Sequence, residues 1–367
     1  MSINKPTIDP KLRIAFQITE LIFFLYIFIL SIDLMGASLK LFGKGFAESL
    51  IANTSNPVVG LFIGILATSI IQSSSTTTSI VVGMVGGGVL NVANAIPIIM
   101  GANIGTSVTN TIVSMAHLNR SAEFRRSFAA STVHDFFNIL SVIVLFPLQY
   151  FTNFLGVSAG ILADLFQNSG GLKLFNPVKA LTKPLIDFLI GIIGQHPWML
   201  FLTSIFLLFL ALKQIVSVLR VLLVKRAEVW FDKILFKTAL RAFFVGLFIT
   251  LLAQSSSITT SLIVPMAGAG ILNLIQIFPY TLGANVGTTI TAILASLVTS
   301  NINAVIVAFA HLLFNITGII IWWPFKIVPV RLAERLAALA VRNKIIPFVY
   351  ILTVFFAIPI IVFVLFK

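Results

Sequence analysis

Two copies of the tetrapeptide Gln-Ser-Ser-Ser are the residues of this chain whose types and spacing are best suited to chemistry. They occupy residues 72–75 and 254–257, and each copy interrupts an apolar run. Hydroxyl and amide groups at bilayer depth are costly when they face lipid, so they should line an enclosed cavity or bond to partners there. Neither copy has the Gly-x-Ser-x-Gly pattern or an evident base of a nucleophilic serine. The pair therefore predicts a binding site and no enzyme.

Composition predicts the setting in which these polar groups lie. The chain has 367 residues, of which 58% are hydrophobic and 10% charged, and its mean hydropathy is +1.08. These values are typical of an all-α polytopic membrane protein in a lipid bilayer. The formal net charge is +13, but the basic residues lie in short segments between apolar runs, which favours topology signals over nucleic-acid binding. There is no cysteine, which excludes disulfides and thiolate metal sites.

The polar breaks divide two of the apolar runs into arms that are too short to cross about 30 Å of hydrocarbon. Residues 57–90 and 243–272 therefore each predict a re-entrant helical hairpin. Spans are predicted at 20–42, 92–116, 128–150, 198–223, 278–298, 304–325 and 345–366. We divide the chain into a first repeat at 1–152, a connector outside the membrane at 153–196, a second repeat at 197–325, and an amphipathic basic segment with a final span at 326–367.

A fixed offset relates the two halves of the chain. The shift in numbering that places Gln254 on Gln72 also places the segment 283–288 on the segment 101–106. Agreement of this density predicts an internal duplication. In each of these segments two glycines flank an asparagine and precede a threonine, which we interpret as a break in the helix whose freed carbonyls contact a ligand.

Loop charges predict how the halves are oriented. Lysine and arginine are enriched in cytoplasmic loops. If the N-terminus is cytoplasmic, Arg125, Arg126 and Lys233 lie inside and the C-terminus lies outside. Lys173, in the outer connector, is an exception to this tendency. The two repeats are then oppositely oriented. Inverted repeats with paired broken elements are typical of secondary transporters, which hold substrate and coupling ions near the bilayer midplane.

The ends of the broken helices, and one acid that has no acidic counterpart in the other repeat, suggest which ions such a site would hold. A broken helix attracts anions at its N-terminus and cations at its C-terminus, and hydroxyl and amide groups can bind either. Beyond residues 119–126 the shift between the halves is five residues smaller and places His311 on His134, so Asp135 has Leu312 as its repeat partner. One carboxylate therefore breaks the symmetry and would suit a bound Na⁺. Its alternative is an ion pair with Arg125 or Arg126. His134 and His311 are predicted to be packed and hydrogen-bonded.

These motifs resemble the type II sodium-dependent phosphate cotransporters. The likeness rests on residues 72–75, 101–111, 123–126 and 132–138, with second copies starting at Gln254 and Gly283. It implies Na⁺-driven symport of inorganic phosphate, with the two Gln-Ser-Ser-Ser tips meeting at the substrate. In that family the acid at the position of Asp135 is associated with electrogenic transport. The residues at the positions of Thr111 and Asn138 are associated with a sodium site.

The resemblance is incomplete at a few positions. Many family members carry a glutamine and an aspartate at the positions aligned with His117 and Arg120, so one sodium site is expected to differ here. The short, cysteine-free connector and the single span after the second repeat are features that point to a bacterial inner-membrane protein.

Together the residues and the resemblance give a candidate site. The expected phosphate contacts are Gln72, Ser73, Ser74, Ser75, Asn103, Ser255, Ser256, Ser257 and Asn285. The expected Na⁺ contacts are Gln72, Thr106, Thr111, Asp135, Asn138, Gln254, Ser255, Thr288 and Thr291. Two alternatives stay open. One is a transporter of another oxyanion or a phosphate exporter, and the other is an anion channel, which the re-entrant pair disfavours. No oligomeric state follows from the sequence.

Overall fold

The computed structural model describes residues 10–42, 54–169, 176–194, 196–227 and 236–366. All regular secondary structure in these ranges is helical, as predicted for an all-α protein. Lys173 and Lys233, on which the predicted orientation partly depends, lie outside the described residues.

The helices of the first half and the connector follow one another closely. They are α1 (Pro10–Leu41), α2 (Pro57–Ile71), α3 (Ser74–Gly86), α4 (Val92–Gly105), α5 (Val108–Ser114) with a 3₁₀ turn (Met115–His117), α6 (Ser121–Thr152), α7 (Phe154–Asn168) and α8 (Asn176–Ile193).

The second half repeats this order and adds a C-terminal group. Its helices are α9 (Pro197–Ala227), α10 (Ala239–Ala253), α11 (Ser256–Gly268), α12 (Leu274–Thr299), α13 (Ile302–Trp322), α14 (Ile327–Arg342), α15 (Ile346–Leu352) and α16 (Ile358–Phe366), with a π-turn (Thr353–Ala357) joining the last two.

Seven stretches of helix among the described residues are long and apolar enough to cross a membrane. They are Ala15–Leu41, Val92–His117, Ser121–Thr152, Pro197–Ile215, Leu274–Thr299, Ile302–Trp322 and Ile346–Phe366. These agree with the seven predicted spans. The first arms of the two predicted hairpins, α2 and α10, are apolar but shorter. The protein is thus a multi-pass membrane protein.

A large apolar core joins the two halves. Ile32 of α1, Val82 of α3, Leu208 of α9 and Ala292 of α12 all belong to it and are buried. Outside this core, α14 packs against α6 through one face, on which Ala333 is buried, as expected for an amphipathic helix. Helices that come from different repeats are therefore held together by buried apolar contact as well as by polar groups.

The connector region consists largely of helix. α7 packs against α13, and its side chains at Leu155, Ala159 and Ala163 are buried at helical spacing. α8 contacts α1 and α9. The segment that we assigned to a linker therefore contributes two helices to the packed structure.

The predicted break at 283–288 is wrong, because α12 continues without interruption from Leu274 to Thr299. In the first half the helix also runs through Gly105, and it is interrupted only at Thr106 and Ser107. The glycines of these segments serve packing: a Cβ on Gly101 would collide with the Leu61 carbonyl, and a Cβ at the matching Gly283 would collide with a carbonyl of α10. Small residues let the two helix backbones approach closely.

Candidate functional site

Each Gln-Ser-Ser-Ser copy forms the turn between the two arms of a helical hairpin. Gln72 ends α2 in the left-handed region with φ 56° and ψ 27°, and Gln254 ends α10 with φ 49° and ψ 28°. The next residue caps the second arm, since Ser73 Oγ accepts from the Thr76 N–H and Ser255 Oγ from the Ile258 N–H. Serine is a favoured N-cap residue because its oxygen accepts a backbone N–H that would otherwise lack a partner.

The two tips are in direct contact. Ser75 Oγ donates a hydrogen bond of 2.9 Å to the carbonyl oxygen of Gln254, which joins the first tip to the second. Ser257, the repeat partner of Ser75, makes a longer contact of 3.5 Å to the carbonyl oxygen of Thr106. Ser74 and Ser256 are also buried, in the first turns of α3 and α11. The fold therefore brings together two motifs that lie in opposite halves of the chain.

A cavity of about 430 Å³ opens where the tips meet. Ser73 and Thr76 of the first hairpin and Gln254 and Ser255 of the second line it, together with residues of α9 that include Lys213. The Oε1 atom of Gln254 is buried and has no hydrogen-bond partner among the described residues. Hydroxyl groups, an amide and two helix N-termini in one cavity suit the binding of an oxyanion.

The predicted asparagines occupy a separate buried network. Asn138 Nδ2 donates to the Asn103 carbonyl at 2.8 Å, and its Oδ1 accepts from Asn285 Nδ2 at 2.8 Å. His134 Nε2 donates to Asn285 Oδ1 at 2.5 Å, and His311 Nε2 lies 3.4 Å from Asn103 Oδ1. Both histidines are buried and hydrogen-bonded, as predicted. The network links α4, α6, α12 and α13, and none of its members is among the residues that line the tip cavity.

Asp135 is fully buried on α6 and faces hydroxyl groups. Its Oδ2 accepts from Tyr350 Oη at 2.9 Å and from Thr111 Oγ1 at 3.3 Å. Its Oδ1 has no hydrogen-bond partner within the part of the chain that the structure describes. The alternative of an ion pair with Arg126 is not found, because the Arg126 guanidinium donates to the carbonyl of Gly268 instead. A carboxylate with adjacent hydroxyl oxygens has the oxygen ligands that a hard cation such as Na⁺ prefers.

The remaining sodium candidates are placed as follows. The hydroxyls of Thr106 and Thr288 donate to carbonyls one turn earlier in their own helices, at 2.9 and 3.0 Å. The hydroxyl of Thr291 is buried, with no partner found among the described residues. The side chain of Gln72 is exposed and does not line the tip cavity, unlike its counterpart Gln254. The two glutamines therefore differ in their surroundings although their backbones match.

The two positions that depart from the resembled family lie together beside one acid. Arg120 Nη1 is 3.2 Å from Glu123 Oε2, and His117 Nδ1 is 3.4 Å from the same oxygen. His117 ends the 3₁₀ turn, Arg120 directly precedes α6, and Glu123 lies in the first turn of α6. His117 and Arg120 contact Glu123 and make no contact with Asp135.

Two residues of the site were missed by reasoning from the sequence. Lys213 is the one charged residue between positions 197 and 219, and a lone charge in an apolar span is a detectable signal. Tyr350 lies in the final span, outside both repeats, and nothing in its sequence context points to Asp135. Only the packing of α15 shows this contact.

These features define a polytopic helical membrane protein with polar groups of both halves buried at its centre. Residues 27–169 and 207–321 match the Na⁺/Pi-cotransporter family, and the chain belongs to that family.

Curated relatives agree with this assignment. The sodium-dependent phosphate transport protein 2B of Pongo abelii is 33% identical over 93% of this chain and 64% of its own length. The 2B protein of Homo sapiens is 32% identical over 93% and 64%. The 2A protein of Rattus norvegicus is 33% identical over 93% and 66%. The chain spans slightly less than two thirds of the length of these relatives, which are named as transport proteins. No solved structure matches the chain.

Proposed function

We propose that the chain is a secondary active transporter that couples the movement of Na⁺ to uptake of inorganic phosphate. The observation that carries the proposal is the contact between the two tips, in which Ser75 Oγ donates to the Gln254 carbonyl at 2.9 Å. Because α3 and α11 both begin there, two helix N-termini and their serines face one place. The relatives are named sodium-dependent phosphate transport proteins, which supports this pair of transported ions.

The phosphate is proposed to bind in the tip cavity. Ser255 Oγ accepts a backbone N–H, so its hydroxyl proton can be donated to a phosphate oxygen. The Ser73 and Thr76 hydroxyls bond to each other at 2.8 Å, which leaves one proton of this pair for the phosphate. The amide of Gln254 adds a donor from the second hairpin. We assign Asn103 and Asn285 a positioning role, because their side chains bond within the buried network instead of lining the cavity.

Sodium is proposed to bind at Asp135. The free Oδ1 atom and the Thr111 hydroxyl supply oxygen ligands, while Tyr350 fixes the orientation of the carboxylate through Oδ2. Asn138 contributes indirectly, since both ends of its amide are already bonded. Threonines that donate their proton to their own helix, such as Thr106 and Thr288, still have a lone pair for a second cation.

Alternating access is proposed to follow from the duplication. In this interpretation the hairpins are re-entrant and the two halves have opposite orientations in the membrane, as in other transporters built from inverted repeats. The nearly identical tip conformations support it. A movement of one half against the other would lengthen the contact between Ser75 and Gln254 and open the cavity to one side.

The test is transport by the purified protein in liposomes. Labelled phosphate should accumulate when Na⁺ is higher outside, and should not when K⁺ replaces Na⁺. Uptake that is unaffected by this replacement would overturn the proposal. Currents that reverse at the equilibrium potential of the anion, whatever the Na⁺ gradient, would indicate a channel. Stronger competition by sulfate than by arsenate would indicate another oxyanion as substrate, and transport only in the outward direction would indicate an exporter.

A further inference from the structure

Lys213 lies in an unusual position for a lysine. It is the one charged residue between positions 197 and 219, within the membrane-spanning part of α9. An ammonium group at bilayer depth is costly unless it is paired or faces a polar cavity, so charges retained there are functional as a rule. Phe209 and Ser217, one turn before and after it, line the same cavity, so this face of α9 is directed at the hairpin tips.

Within the described part of the chain, no acidic side chain compensates the charge of Lys213. The lining of the tip cavity includes no carboxylate, and no acidic side chain forms an ion pair with Lys213 among the residues that the structure describes. The neighbouring polar groups are the Ser73 and Ser255 hydroxyls and the buried Gln254 Oε1, which has no described partner. The cavity therefore combines one full positive charge with two helix N-termini and hydroxyl donors.

We propose that the Lys213 ammonium is the fixed positive charge of the substrate site and pairs directly with the bound oxyanion. This inference rests on the proposed phosphate transport and adds a residue and a charge to it. The helix N-termini supply only partial charges, of about half a unit each. Lysine adds up to three donors and a whole charge, and charge-assisted hydrogen bonds to phosphate are about twice as strong as neutral ones.

The positive charge of Lys213 has no counterpart at the matching position of the first repeat. The offset that places Gln254 on Gln72 places Lys213 on Ser31, which is buried and donates to the Phe28 carbonyl in its own helix. Asp135 is likewise unique, because its counterpart is Leu312. The tips are duplicated, whereas the base and the acid are not. The second half thus supplies the counter-charge for the anion, and the first half supplies the counter-charge for the cation.

A pair of substitutions tests the charge. Lys213→Gln should raise the KM for phosphate roughly 10- to 100-fold, as expected for the loss of a charged hydrogen bond. Its Na⁺ activation at saturating phosphate should be unchanged. Lys213→Arg should stay within a few-fold of wild type because it keeps the charge. Lys344→Gln, which removes an exposed lysine between α14 and α15, is the matched control. A wild-type KM in Lys213→Gln would overturn the proposal.

Chemical rescue separates a charge from a structural role. The chain has no cysteine, so Lys213→Cys carries the only thiol. Modification with 2-aminoethyl methanethiosulfonate restores an ammonium group and should restore phosphate affinity. The anionic 2-sulfonatoethyl reagent should not restore it. Equal effects of the two reagents would contradict a role of the positive charge, and phosphate should slow the modification if it binds beside Cβ of this position.

Direct binding distinguishes this inference from the proposed function. Thermal stabilisation of the detergent-purified protein by phosphate, with and without Na⁺, requires no transport. If wild type is stabilised and Lys213→Gln is not, the lysine assignment holds even if liposome uptake proves independent of Na⁺. If both are stabilised equally, the lysine assignment fails even if Na⁺-driven uptake is confirmed.

Discussion

The two Gln-Ser-Ser-Ser hairpins have nearly the same backbone but are held by different partners. Both glutamines are left-handed, both following serines are N-caps, and both second arms have thirteen residues. At the far end of the first hairpin, Asn301 Nδ2 donates to the Gly86 carbonyl at 3.1 Å. At the same place in the second hairpin, Arg126 Nε donates to the Gly268 carbonyl at 2.9 Å.

The comparison separates what local sequence determines from what the surroundings determine. The turn conformation follows from four residues and is therefore duplicated with them. Both anchors come from the opposite half: the first hairpin is held by the amide of Asn301, the N-cap of α13, and the second by the guanidinium of Arg126 near the start of α6. Duplicated turns can thus be supported by residues that have diverged.

A second difference between the halves concerns the surroundings of Asp135, where we propose that Na⁺ binds. The helix after the first hairpin is interrupted at Thr106 and Ser107, whereas the helix after the second hairpin is continuous. The interruption places Thr111 on the separate short helix α5, and the Thr111 hydroxyl donates to Asp135 Oδ2. The continuous helix α12 has no such displaced segment, and the repeat counterpart of Asp135 is the apolar Leu312. The break and the acid therefore occur together in one half only.

The largest effect is expected where the two hairpins are alike. Gly101→Ala and Gly283→Ala should each lower the free energy of unfolding by about 3 kcal/mol or prevent folding, because the new Cβ overlaps a carbonyl of the neighbouring arm. Gly160→Ala is the control, since a Cβ there meets nothing within 4 Å. Thermal unfolding followed by tryptophan fluorescence measures this. A loss of stability in only one copy would show that the packing is not equivalent.

Replacement of Asp135 should weaken Na⁺ binding, whereas replacement of its repeat counterpart should not. Asp135→Asn is expected to weaken the apparent affinity for Na⁺ about tenfold, which corresponds to roughly 1.4 kcal/mol. Tyr350→Phe should shift it in the same direction and less, because it removes one hydrogen bond to the carboxylate. Leu312→Met, at the repeat position, should leave it unchanged. Uptake measured against Na⁺ concentration gives the answer, and an unaltered sodium response in Asp135→Asn would remove this residue from the site.

The anchors at the far ends should differ in strength. Arg126→Gln is expected to cost about 1 kcal/mol of stability. Asn301→Ser, which keeps an oxygen to cap α13 but removes the Nδ2 donor, should cost about half of that, because hydrogen bonds from charged donors are stronger. Unfolding temperatures of the two variants against wild type measure the difference. Equal losses would mean that the charge of Arg126 adds nothing to the anchor.

The smallest effect is expected at the tips. Ser75→Ala should lower phosphate transport about threefold, since one neutral hydrogen bond between the hairpins is lost. Ser257→Ala should have less effect, because its contact of 3.5 Å is long. Ser204→Ala, which removes a buried serine that bonds within α9, is the control. If Ser257→Ala lowers transport more than Ser75→Ala, the Ser257 contact contributes more to transport than the Ser75 contact.

Features encoded by local sequence could be predicted well. The seven spans follow from apolar length, and the two turns follow from the polar interruptions. The apolar repeat partner of Asp135 distinguishes this acid in the sequence, and its binding of Na⁺ stays a prediction. The interpretation of the glycine segments is wrong because glycine can allow either an unwound helix or a close helix contact. The carbonyl that decides between them belongs to a different helix, as Leu61 of α2 does for Gly101 of α4.

Other parts of the site depend on tertiary contacts that no local pattern encodes. Asn103, Asn138 and Asn285 could each bind an ion as isolated residues, but the fold brings them close enough to bond with one another. Tyr350 is one tyrosine in an apolar helix, and its partner Asp135 lies far away in the sequence, on α6. Such pairings depend on how α15 packs, which the repeat does not determine because this helix lies outside it.

The left-handed glutamines have a consequence for the balance of stability and activity. A non-glycine residue at positive φ lowers the stability of the folded protein by about 1 kcal/mol relative to glycine, so glycine at either turn would stabilise the protein. The chain nevertheless has an amide at both positions. We expect Gln72→Gly and Gln254→Gly to unfold at higher temperature while transporting phosphate more slowly. The hairpin tips would then be places where the protein retains a side chain for function at the expense of its own stability.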